Sequence, residues 1–433
     1  MLAVPGAGVA AGVIFGISAQ ELGFIVGALC IATLLSFVLT PVAIRFAHRA
    51  GAIDQPDSGR RIHRLAIPRG GGLAIAASFI TVGMIATIVN NTSQNVPQGT
   101  ISGQTLAVLF FGVGLAAAFG YIDDRWQIRA RWQALSQVIL AALTIGAGVV
   151  ITFIYNPLGF LGDRFGGDEL QFGIPTAQGF DWSVGTFGNF GYLLAVVIST
   201  IWIVGMINSI NFIDGLDGLS TGIALIASLA LGLLSIWQEQ PLVGLLCAVL
   251  AGALAGFLPW NFHPAKVFTG TSGVMAVGYA LAVLSILGTA KVAVALLVLG
   301  VPIIDTFWII IRRISNRQSP FTPDRGHFHH RLLDLGLTHR GAVLVIYGIC
   351  IALAIMSLLL SGTGLLYAFM GIVVGGGLVL YLLTRRGRGS LDASNYPDDV
   401  PSTDEEQDGR VSARGAAEVP IDDGRRHGTR PVR

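Results

Sequence analysis

Apolar residues dominate this chain in long uninterrupted runs. The runs fall near residues 21–45, 71–90, 104–122, 132–154, 190–207, 219–237, 241–258, 272–289, 291–311, 341–361 and 364–384. Each is close to the roughly 20 residues that a helix needs to cross a bilayer. Eleven such runs predict an all-α, polytopic integral membrane protein, the eighth and ninth joined by a tight turn at Leu287–Lys291. Polar residues collect between the runs. Residues 1–20 are apolar but have no basic leader, so they read as an N-terminal lead-in or an extra helix and not as a signal peptide. From residue 385 onward Asp, Glu, Arg, Gly, Ser and Pro replace the apolar residues, which predicts a disordered charged tail over 385–433 after a transmembrane domain over 21–384.

Composition agrees with this pattern. Hydrophobic residues make up 53% and charged residues 12% of the chain, about half the charged share of a soluble protein. Mean hydropathy is +0.70. Cys30, Cys247 and Cys350 sit inside apolar runs and form neither a disulfide framework nor a zinc pattern.

The distribution of charge says more than the net value of +2. Arg49, Arg60, Arg61, Arg64 and Arg69 share one loop, and 91–103 carries no charge. Arg125, Arg129 and Arg131 follow on the first side, 155–189 has one arginine, Arg164, and 312–340 is again arginine-rich. Basic loops face the cytoplasm. The C-terminus and the polar motifs are therefore expected at the cytoplasmic face of a bacterial plasma membrane, with the N-terminus outside. A transporter places ionisable residues near the bilayer midplane. Their gathering at one face suits an enzyme acting on a cytosolic substrate.

Four clusters carry that chemistry. Asp123 and Asp124 close the third run, where two carboxylates meet each other and the negative end of a helix dipole. They need a cationic partner, either Arg125, Arg129 or Arg131, or a divalent metal facing diphosphate oxygens. Asn208, Asn211, Asp214 and Asp217 recur at every third position beside Gly215 and Gly218, with no cation among them. Asn261 through Gly273 includes Phe268, which can stack on a base, and a Gly/Ser-rich helix start able to receive a phosphate. Arg325, His327, His329, His330 and Arg331 lie together in the largest basic loop. Recognition of a phosphate or diphosphate fits that loop better than a transition metal, because the histidine spacing does not set three imidazoles on one helix face. Carboxylates for a metal, cations for phosphates and a stacking aromatic at one membrane face specify nucleotide-diphosphate chemistry at a lipid surface.

From Asp54 to Leu335 these motifs resemble those of the polyprenyl-phosphate N-acetylhexosamine-1-phosphate transferases of glycosyltransferase family 4. The His-Phe-His-His form at His327–His330 is similar to the branch that uses simple UDP-N-acetylhexosamines and not to the branch that uses a muramoyl-peptide nucleotide. The resemblance implies Mg²⁺ or Mn²⁺, a UDP-N-acetylhexosamine donor, probed first as UDP-GlcNAc, and a polyprenyl phosphate acceptor. It implies no nucleic-acid partner and leaves a homodimer open. By the same resemblance Asp123, Asp124, Asp214, Asp217 and His327 serve the reaction centre. Arg61, His63, Asn208, Asn211, Asn261, Phe268, Arg325, His329 and His330 bind substrate. One position departs: Thr271 stands where the family has a metal-binding Asp. The other motifs are in place, so the expectation is an active enzyme with metal on Asp123, Asp124, Asp214, Asp217 and the Thr271 hydroxyl. The alternative is a nucleotide-binding membrane protein without turnover.

Overall fold

A computed structural model describes residues 13–14, 17–54, 66–96, 101–156, 168–176, 179–181, 185–287, 291–300, 303–305, 313, 328–360 and 362–387. The chain divides into Met1–Tyr381 and Leu382–Arg433, and the first unit carries the fold; residues 385–387 of the predicted tail are helical, and the rest of the tail lies outside the described residues. Its helices are α1 (Ala19–Ala50), α2 (Gly72–Ser93), α3 (Gly103–Trp126), α4 (Ala130–Gly146), α5 (Gly191–Ile213), α6 (Leu219–Trp237), α7 (Pro241–Asn261), α8 (Gly270–Ile286), α9 (Lys291–Val298), α10 (Phe328–Asp334), α11 (His339–Leu359) and α12 (Thr363–Gly387). Four two-stranded antiparallel sheets and a 3-10 turn at Gly188–Phe190 complete the described elements. Among the described residues seven helices are long and apolar enough to cross a membrane, α1, α2, α3, α5, α6, α7 and α11, which makes this a multi-pass membrane protein. A helix begins at the start of each of the other four predicted runs or one to two residues before it, but α4, α8 and the described part of α9 are shorter than the runs suggested.

Three boundaries differ from expectation for local reasons. Of the N-terminal segment, residues 1–12 lie outside the described residues; Val13–Ile14 pairs with Ile17–Ser18, and Ser18 then caps α1 reciprocally with Glu21. The fourth run ends as helix at Gly146, because Phe153–Tyr155 pairs with Glu169–Gln171. Helix α5 runs six residues beyond the predicted 207, since Ile210 and Ile213 continue its buried stripe past Ile207. Asn208 and Asn211 are thereby helical residues and not loop residues.

The helices sort into core and rim by what they bury. Helices α7 and α8 are buried on nearly every face, as a helix apolar all round requires. Helix α1 buries only Ile25, Ala28, Ala32, Ser36, Thr40, Ala43 and Ala47, a stripe of mainly small residues at three- and four-residue spacing. Its large residues Ile31, Leu34, Val38 and Val42 point outward. Lipid is as apolar as a leucine side chain, so close packing of small surfaces holds such helices together, not removal of apolar area from water. Helix α7 supplies the matching surface: a Cβ on Gly252 would lie 2.3 Å from the Leu29 carbonyl oxygen, and one on Gly256 would lie 2.1 Å from that of Thr33.

The same device assembles the end of the bundle where the motifs gather. A Cβ on Gly72, at the start of α2, would lie 2.0 Å from the Gly273 Cα of α8. A Cβ on Gly120, near the end of α3, would lie 2.3 Å from the Thr271 carbonyl. Backbone therefore meets backbone where α2, α3 and α8 converge.

Gly256→Leu should force α1 away from α7 and cost on the order of 1–3 kcal/mol or more, whereas Gly27→Leu on α1, with no atom within 4 Å of its Cβ position, should be tolerated. Thermal unfolding of both variants in one detergent checks the contrast.

Candidate active site

Asp123 and Asp124 are buried, at 8% and 5% exposure, on the last turn of α3. Among the described residues, the groups hydrogen-bonded to them are neutral donors. The Thr271 amide donates to Asp124 Oδ1 at 2.7 Å, and the Ser272 amide to Oδ2 at 3.0 Å. Asp124 thus caps the first turn of α8, whose unpaired amides and positive dipole end face its charge. Gly270, at φ +69°, makes the turn that permits this, and a Cβ there would lie 2.6 Å from Asp124 Oδ2. Asp123 Oδ1 accepts from the Ile128 amide at 3.0 Å and from Gln133 Nε2 at 2.7 Å. Its Oδ2 accepts from the Thr271 hydroxyl at 2.7 Å. The residue that departs from the family pattern therefore joins both carboxylates, by its backbone to one and its side chain to the other.

Phe268 is held by strand-like backbone bonds. Its amide donates to the Pro68 carbonyl at 3.0 Å, and the Gly71 and Gly72 amides donate to the Phe268 and Thr269 carbonyls at 3.1 and 3.0 Å. The ring is half-buried rather than fully exposed. Asn261, 2% exposed, supports this loop from beneath: its Nδ2 donates to the Val267 carbonyl at 3.0 Å and its Oδ1 accepts from Thr221 at 2.8 Å. The structure thus places Asn261 behind the loop, holding Phe268 in position. Arg69 pairs with Asp54 at 2.8 Å across the hairpin Ile53–Asp54 with Ile67–Pro68. That hairpin is the stem of the arginine-rich loop, although Arg61 and His63 lie outside the described residues.

Asp214 follows α5 and accepts a short hydrogen bond from the Ser220 hydroxyl. Burial pushes its carboxyl up to about 7, the Ser220 donation opposing and the nearby Asp124 charge adding to the rise. Asp214 is thus a neighbour of the α3–α8 junction. Asp217 is turned elsewhere: its Oδ2 lies 2.7 Å from His263 Nδ1 and accepts the Ala265 amide at 3.1 Å, and its own amide donates to His339 Nε2 at 2.9 Å. Asn208 pairs amide to amide with Gln137 of α4, at 2.7 Å, and Asn211 is half-buried on the final turn of α5.

Of the histidine motif, Arg325 and His327 lie outside the described residues. His329 and His330 fall on α10, their side chains outside the described part. The start of α10 is tied to the ninth run by Asp305, 5% exposed, whose Oδ1 accepts the Phe328 amide at 2.9 Å. Asp305 thus has a structural task beside the motif.

The fold and the site together define a multi-pass membrane protein in which helix ends converge on paired, buried carboxylates beside a loop presenting an aromatic ring. Residues 105–289 match the family model for glycosyl transferase family 4. The chain is 34% identical over 343 residues to a probable undecaprenyl-phosphate N-acetylglucosaminyl 1-phosphate transferase of Bacillus subtilis, an alignment covering 78% of this chain and 85% of that one. It is 30% identical over 401 residues to the decaprenyl-phosphate N-acetylglucosaminephosphotransferase of Mycobacterium tuberculosis H37Rv, covering 86% and 91%. It is 26% identical over 324 residues to the undecaprenyl-phosphate alpha-N-acetylglucosaminyl 1-phosphate transferase of Salmonella typhi, covering 72% and 77%. The chain belongs to glycosyl transferase family 4.

Sequence reasoning did not single out Gln133, Ser220, His263 or His339 as site residues. Gln133 and Ser220 are ordinary polar residues on apolar helices. His339 lies 122 positions from the Asp217 amide that it holds, and nothing local in the sequence signals such a contact.

Asp124→Ala should leave the first amides of α8 without acceptors and cost about 1–3 kcal/mol, with Asp124→Asn costing less because an amide oxygen still accepts. Asp123→Asn should keep most of the stability and lose turnover by orders of magnitude. Melting temperature and UMP release on the three variants check these outcomes.

Proposed function

We propose that this protein transfers N-acetylglucosamine-1-phosphate from UDP-GlcNAc to a polyprenyl phosphate, releasing UMP, at the cytoplasmic face of a bacterial plasma membrane. The product would start a cell-envelope glycan. The observation that carries the reading is the junction of α3 and α8, where Asp123, Asp124 and Thr271 converge beside Asp214 in a chain whose relatives are named for this transfer. An oxygen of the lipid phosphate attacks the sugar-linked phosphorus, the bond from that phosphorus to the bridging oxygen breaks, and UMP leaves with the electron pair. The chemistry demands little covalent participation from the protein. Positioning and charge neutralisation supply most of the rate.

The donor set fits a hard divalent cation such as Mg²⁺ or Mn²⁺: carboxylate oxygens of Asp123, Asp124 and Asp214 with the Thr271 hydroxyl. Bound there, the ion would neutralise diphosphate oxygens and stabilise the leaving group. A carboxylate has about four lone-pair sites. Two donors on Asp124 therefore leave more room for a metal than the three on Asp123. Those three donors instead fix the plane of Asp123, which suits it to orienting the lipid phosphate. Phe268, anchored through its backbone, would stack on uracil. Arg61, His63, Arg325, His327, His329 and His330 supply cations for the phosphates, and the four-aspartate set of the family leaves Asp217 on the nucleotide side.

Thr271 defines how this site differs from an Asp-bearing relative. Its hydroxyl donates to Asp123, where a carboxylate would repel it. A third anion at this point would raise metal affinity and would also require the metal for stability.

UMP release by purified protein supplied with UDP-GlcNAc and undecaprenyl phosphate, with and without Mg²⁺, tests the function. Turnover is expected only with metal; release without it would overturn the metal assignment, and no release under any metal would overturn the activity. Thr271→Asp should lower the metal-free melting temperature, enlarge the stabilisation on adding Mg²⁺, and lower the half-saturating Mg²⁺ for turnover. A metal titration followed by melting temperature and by rate measures all three.

A further inference from the structure

We propose that His339 is a positioning residue for the nucleotide-sugar half of the site, acting through Asp217 without touching substrate. The proposal rests on the functional reading above. It starts from a contact between parts of the chain far apart in sequence: α11 lies outside the family-matched residues 105–289, yet its first turns hold two loops inside that stretch.

Thr338 caps α11, its hydroxyl accepting the Gly341 amide at 3.1 Å, and so fixes His339 at the helix start. His339 Nε2 accepts the Asp217 amide at 2.9 Å. That nitrogen is therefore the unprotonated one, and the ring proton sits on Nδ1. The His339 ring stacks on His263, with centroids 4.2 Å apart and planes 16° apart. His263 Nδ1 in turn meets Asp217 Oδ2 at 2.7 Å. Asp217, 4% exposed, is thus gripped at its backbone by one imidazole and at its carboxylate by the other, and the two rings brace each other. Two more residues of α11 repeat the pattern, one beside His339 and one two turns on. Arg340 Nε donates to the His263 carbonyl at 3.0 Å, and the Tyr347 hydroxyl donates to the Gly218 carbonyl. The Tyr347 ring occupies the space a Cβ on Gly222 would need, which would lie 1.9 Å from the hydroxyl oxygen.

This grip matters because the loop from Asp214 to Gly218 is a glycine-bearing turn between two helices. It contains Gly215 and Gly218, the latter at φ +82°, and such residues restrict the backbone least. The loop carries Asp214 at one end and Asp217 near the other, so its conformation sets where both carboxylates stand relative to Asp124.

A metal bridge is the competing account, since donor atoms of Asp217, His263 and His339 lie within 4.8 Å of one another. Stacked rings argue against it. Imidazole lone pairs lie in the ring plane, so two nearly parallel rings direct theirs side by side and not toward one point, and the His339 Nε2 pair already receives an amide proton.

The test compares His339→Gln with His339→Asn in one detergent. A Gln side-chain oxygen reaches about where Nε2 sits and can accept the Asp217 amide; Asn falls one methylene short. Melting temperature is measured for both, with kcat and KM determined separately for UDP-GlcNAc and for the lipid phosphate. Loss of one such hydrogen bond corresponds to roughly five- to tenfold. His339→Asn should raise KM for UDP-GlcNAc by about that factor, with KM for the lipid and the melting temperature little changed, and His339→Gln should recover most of it. An unchanged KM in His339→Asn, or equal losses in both variants accompanied by a fall in melting temperature, would overturn the proposal. So would Zn²⁺ raising the melting temperature of the wild type but not of His339→Gln, which would make the cluster a metal site. A wild type that releases no UMP would fail the functional reading alone; UMP affinity by calorimetry, expected to be weaker in His339→Asn, then replaces KM.

Discussion

The capping of α8 by Asp124 is the contact on which the site depends. A helix start in a membrane protein has amide groups that lipid cannot satisfy, and a carboxylate at a helix end cannot be buried unpaired. Here each problem is the other's solution: the Thr271 and Ser272 amides receive the Asp124 carboxylate. The bond joins α3 to α8 at the same place where Gly120 lets their backbones meet. Once it forms, Asp123 is delivered beside Thr271, and Asp214 falls within electrostatic reach of Asp124. Structural and chemical roles therefore fall on one residue, so loss of activity on changing Asp124 has to be read against loss of stability.

Around that point the bundle obeys the packing rule of membrane interiors. Small residues face neighbouring helices and large ones face lipid, as the division of α1 into an alanine, serine and threonine stripe and a leucine, isoleucine and valine face makes plain. The glycines that allow close approach are not spread evenly. Gly72, Gly120 and Gly273 lie at the motif-bearing end, where three helices meet through their backbones and leave side chains free to line the site.

The Thr271 hydroxyl alters the electrostatics of this junction without emptying it. It donates to Asp123, so one position changes from a potential anion to a donor that pairs with an anion. The carboxylates around it stay hydrogen-bonded, and the chain's relatives are named for polyprenyl-phosphate N-acetylglucosamine-1-phosphate transfer.

Most helix positions and the membrane class were legible in the sequence, because hydrophobic run length is a local quantity set by the bilayer. Asp123, Asp124, Asp214 and Thr271 stood out for the same reason: carboxylates and a broken motif are visible against an apolar background. Tertiary structure alone decided what each polar residue does there. Asn261 supports the Phe268 loop from behind, and Asn208 pairs with Gln137 across two helices. Asp217 turns toward His263 and His339. The bonds of Asn208 and Asp217 join residues tens to more than a hundred positions apart, and such bonds leave no period or spacing in the chain. The compensation of the paired aspartates was hidden for a further reason. It comes from backbone amides at the start of α8, groups that every residue but proline possesses, which only the folded arrangement brings to bear.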